Sequence, residues 1–106
     1  MGSTDTGNSR EVREFTWTAM VPVSIPGAEL EPIQDHLLVV LREYASSGRL
    51  AAWDGGLAFI FPVTGEGEEG TRRFARMLVA SLLFDVGLTS QQADILDHKM
   101  DLVIES

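Results

Sequence analysis

"RLAAWDGGLAFIFPV", residues 49–63, decides how the rest of the chain is read. Asp54-Gly55-Gly56 falls between two β-rich segments, and glycine accepts the positive φ that tight hairpin turns demand. The segment after the turn is apolar on both sides: Leu57, Phe59 and Phe61 alternate with Ala58 and Ile60. A strand with two apolar faces belongs in the middle of a sheet, so partners are expected on both of its edges.

The first of those partners lies upstream. "FTWTAMVPVSI", residues 15–25, alternates, with Phe15, Trp17, Ala19, Val21, Val23 and Ile25 on one side. Thr16, Thr18, Met20, Pro22 and Ser24 take the other, a period of two that predicts a strand with one well-buried face. Pro22 lacks an N–H, so pairing is expected to break near it. Ile33, Leu37, Val40, Leu41 and Tyr44 then recur at helical spacing, with Pro32 suited to a first turn and Gly48 to a left-handed cap. Downstream of the hairpin, Phe74, Met77, Leu78 and Leu82 mark the apolar face of a second helix that stops at Gly87. Thr89 precedes Gln92 by three residues, which predicts a short helical turn. "KMDLVIE", residues 99–105, alternates again with Met100, Leu102 and Ile104 inward.

The order is β-α-β-β-α-β, the split β-α-β or ferredoxin-like arrangement. It predicts an α+β domain over residues 13–106, a four-stranded antiparallel sheet with two helices on one face. Residues 1–12 are polar and predict a disordered tail.

The 106 residues carry 16 acidic against 8 basic side chains, a formal net charge of −8. Such a surface repels phosphate backbones and anionic membranes, so direct nucleic-acid binding is not expected. No apolar run reaches the length of about 20 residues that a membrane helix needs. The absence of cysteine removes disulfides, thiolate nucleophiles and zinc–thiolate sites, and fits a cytoplasmic setting.

"VTGEGEEGTRRF", residues 63–74, comes nearest to a chemical motif. Its G-x-x-x-x-G is followed by Thr71 and Arg72, where a phosphate-binding loop has lysine and then Ser/Thr. Glu66, Glu68 and Glu69 place negative charge where phosphate would sit. The residues suit a turn and a helix start, with Glu68–Arg72 and Glu69–Arg73 as i,i+4 pairs. Arg72 and Arg76 share a helix face and form the one candidate anion contact. His36 and His98 lack H-x-x-x-H or H-E-x-x-H spacing, so no metal site is expected. Asp94, Asp97 and Asp101 read as a solvated acidic turn. There is no G-x-S-x-G elbow, and no cofactor is called for.

These readings predict a small, acidic, non-enzymatic module that associates with itself as a homodimer or with another protein. The alternating patterns send Thr16, Thr18, Met20, Trp53, Ala58, Ile60 and Val103 to the sheet face away from the helices. A contiguous apolar patch there is the expected interaction surface, with Trp53 as its anchor. The alternatives are a small-molecule-sensing regulatory domain, a dimeric α+β-barrel enzyme, and an acidic decoy of a nucleic-acid-binding surface. The barrel enzyme needs a proton-transfer group on that face, which Thr16, Thr18, Met20 and Ile60 do not supply.

Overall fold

The computed structural model describes residues 14–25, 27–53 and 56–105, without the side chains of residues 27–32 and 53. The expected tail at 1–12 and the Asp54-Gly55 turn lie outside the described residues. In chain order the elements are β1 (Phe15–Ser24), α1 (Gly27–Tyr44), β2 (Arg49–Trp53), β3 (Gly56–Gly65) and α2 (Glu68–Asp85). There follow β4 (Asp94–Ile95), a 3-10 turn at Asp97–Lys99, and β5 (Asp101–Ile104). The sheet runs β2-β3-β1, and β4 and β5 both pair with the far edge of β1; all pairings are antiparallel. This is the split β-α-β, ferredoxin-like topology, with β3 central as its two apolar faces require.

The fourth strand is in two pieces, and Pro22 explains the break. Ile95 lies opposite Val23 and Asp101 opposite Met20, so residues 96–100 face only Val21 and Pro22. The Pro22 carbonyl accepts a hydrogen bond from the Leu96 N–H (2.9 Å), so its backbone polar groups point toward β4 and β5. The missing N–H therefore faces that edge, and the ladder swells into a 3-10 turn there. On the β3 side Pro22 pairs with Ala58 without interruption. The expected break occurs on one edge of the strand only.

Odd-numbered residues of β1 and β3 meet the helices: Val21, Val23, Phe59 and Phe61 are buried against Leu41 of α1 and Leu82 of α2. Two helix readings change. Phe74 and Met77 are 52% and 59% exposed, whereas Thr71, Ala75, Val79, Leu82 and Leu83 are buried. A Cβ on Gly65 would lie 2.1 Å from Thr71 Oγ1, so α2 starts almost in contact with the β3 backbone. Only small residues fit that approach, and close packing outweighs the greater hydrophobicity of Phe74 and Met77. In α1, Pro32 lies at the sixth residue rather than in the first turn. Ala28, Glu29, Leu30 and Glu31 favour helix and extend it backward past the proline, at the loss of one backbone hydrogen bond.

The end of α2 follows its sequence signal. Gly87 has φ +85°, its N–H reaches the Phe84 carbonyl, and the Leu88 N–H reaches Leu83. These two bonds make a Schellman motif, which satisfies carbonyls the helix would otherwise leave open. Gly48 is not left-handed; it is buried because Leu41 packs over it, 2.7 Å from where a Cβ would be. The Gln92 side chain accepts from the Thr89 N–H, completing the turn expected there.

Candidate functional site on the open sheet face

Neither helix covers the even-numbered face of the sheet, and strand register fixes what is displayed there. One cross-strand row reads Arg49, Ile60, Met20, Asp101, from β2 through β3 and β1 to β5. The next reads Pro62, Thr18, Val103, and the one beyond it pairs Thr64 with Thr16. Residues directly opposite one another in a sheet share a face. The register therefore brings Thr16, Thr18, Met20, Ile60 and Val103 together, as the alternation predicted. Val103 is 57% exposed, and Met20 and Ile60 are half-buried.

Two members of the predicted patch stand differently. Ala58 is only 2% exposed, and its row partner Pro22 is fully buried, so neither is available as a contact residue. Trp53 pairs with Gly56, which puts it in register with the open face; its side chain lies outside the described residues. A trough of about 180 Å³ crosses the face, lined by Thr18, Arg49, Ile60, Pro62 and Glu105.

The predicted anion contact is occupied within the chain. Arg72 donates to the Met100 carbonyl (3.1 Å) and to Glu68 (2.9 Å). Arg76 Nε donates to both carboxylate oxygens of Asp97, at 2.8 and 3.0 Å. Both arginines share a face of α2, as the spacing indicated, and that face clamps the split fourth strand. The glycine-rich stretch is a turn into α2: Gly67 precedes the helix, Glu68 and Glu69 fill its first turn, and Thr71 is buried against Gly65. Thr71 Oγ1 has no hydrogen-bond partner among the described residues.

Sequence reasoning missed an exposed stripe on α2. Phe74, Met77 and Phe84, the last 80% exposed, recur at helical spacing on the side away from the sheet. Beside Phe84 a cavity of about 360 Å³ is bordered by Ala80, Leu83, Leu88, Ala93 and Ile95. Four apolar residues at 74, 77, 78 and 82 looked like one core-facing stripe; the signal against it was the second run of Thr71, Ala75, Val79 and Leu82 on the same helix.

Among the described residues no group of three His, Cys, Asp or Glu side chains is placed to hold a metal ion. No described helix is long and apolar enough to cross a membrane. No protein-family model, curated protein or solved structure matches the chain.

Proposed function

We propose that this chain is a non-enzymatic protein-interaction module that associates through the open sheet face. The observation that carries the reading is the register, which lines up Ile60, Met20 and Val103 with threonines on a face that neither helix covers. β1 and β3 have ten residues each, β2 five, β4 two and β5 four, and at about 3.3 Å by 4.8 Å per residue they make a face of roughly 490 Å². Two such faces bury roughly 1,000 Å², the size of a small, transient interface. The polar threonines keep the isolated chain soluble, and the apolar residues between them supply the attraction.

The exposed stripe on α2 favours a second reading, in which association runs through Phe74, Met77 and Phe84 beside the cavity. One experiment separates the two. Light scattering at micromolar concentration on the wild type, Ile60→Glu and Phe84→Glu reports which face is used. The sheet reading expects a wild-type dimer that Ile60→Glu dissociates while Phe84→Glu does not, both variants keeping wild-type circular dichroism. Loss of the dimer in Phe84→Glu alone would transfer the function to α2.

A further inference from the structure

The row Arg49–Ile60–Met20–Asp101 carries a cation at one end, an anion at the other and two apolar side chains between. Arg49 and Asp101 are both exposed, and among the described residues neither forms an ion pair within the chain. They are too far apart to pair with each other. Three strand spacings of about 4.8 Å hold them roughly 14 Å apart at the backbone, on opposite edges of the sheet.

We infer that the occupant of the open face is a second copy of this chain, stacked about a two-fold axis parallel to the strands. The axis passes between Ile60 and Met20. The inference rests on the association reading above and names its partner and geometry. A two-fold in that direction exchanges the two edges of the sheet, so each row lies across its own copy in reverse order. Arg49 then meets Asp101 of the second copy, Asp101 meets Arg49, and Ile60 meets Met20 twice. An isologous interface must be self-complementary in this way, and this row is. A two-fold at right angles, across the strands, would set Arg49 against Arg49 and Asp101 against Asp101. The charges therefore select one orientation of the pair, and like-charge juxtaposition rejects the other.

Charge exchange tests this on the full chain. Arg49→Glu alone and Asp101→Arg alone each create two like-charge contacts, and each should weaken self-association more than about ten-fold. The double variant Arg49→Glu/Asp101→Arg restores both pairs and should recover the dimer. Mixing the two single variants should also produce dimers, all of them mixed, because that combination alone has two complementary contacts. Native mass spectrometry distinguishes the mixed species by mass, and circular dichroism checks that each variant is folded. A dimer insensitive to all these changes but dissociated by Ile60→Glu overturns the two-fold arrangement and leaves the sheet-face reading standing. A wild-type chain that stays monomeric at high micromolar concentration overturns self-association outright. Single variants that lose the dimer without rescue in either the double variant or the mixture also overturn the pairing.

Discussion

Tyr44, the one tyrosine in the chain, ends α1 and donates its hydroxyl to the Asp85 carboxylate that ends α2. That hydrogen bond raises the phenol pKa above its ordinary value, because ionising it would set two negative charges together. A raised folded-state value has a definite sign. The contact stabilises the fold fully below about pH 10 and is lost as pH rises through the displaced value. With a single tyrosine, phenolate absorbance near 295 nm follows this one group. Its midpoint should lie above that of a free tyrosine and fall back in Asp85→Asn; an unshifted wild-type midpoint would show that the helix ends do not meet in solution. Nothing in the sequence pointed to the pair. Tyr44 fitted the apolar stripe of its helix, and Asp85 is forty-one positions away.

At the scale of elements, the least secured part of the sheet is the split fourth strand. β5 holds β1 through four residue pairs and β4 through two, and Arg72 and Arg76 pin the intervening turn to α2. The Arg76–Asp97 pair is exposed, so its loss should cost at most about 1 kcal/mol of global stability. Its local effect should be larger. Arg76→Ala is expected to speed amide exchange at residues 94–104 while leaving β1 and β3 as protected as before; uniform acceleration throughout the sheet would contradict this. Element order and sheet position were legible because period-two alternation and the Asp-Gly-Gly turn are local signals. The face of α2 was not, since two apolar stripes compete on it and only the nearness of Gly65 to Thr71 decides between them. Pro22 was legible by half: the residue announces a missing donor, but which edge lacks it depends on whether the adjacent bonded pair lies toward β3 or β4. The open face was readable from alternation, whereas the burial of Ala58 and the alignment of Arg49 with Asp101 needed the register of four strands.

For the whole molecule, the sheet has two rims, and each resists extension. β2 and β5 are five and four residues long, too short to template a long added strand. β2 begins opposite Ile60, so the stretch of β3 from Phe61 to Gly65 has no neighbour on that side among the described residues. Pro62 stands in this stretch, in the same alternation as Ile60, and its nitrogen faces the unpaired rim. Strand addition that joins one rim to the opposite rim of the next copy is head-to-tail and has no natural end, so it leads toward ribbons and fibres, whereas stacking about a two-fold closes at two. Pro62→Val would restore a donor in an apolar, β-favouring stretch and open that route. Thioflavin-positive, sedimenting material should then accumulate during prolonged incubation of the variant and not of the wild type; equal clarity in both would remove this role from Pro62. In the proposed two-fold dimer, one ring nitrogen without a hydrogen is what would separate a particle of fixed size from a polymer that grows at its ends.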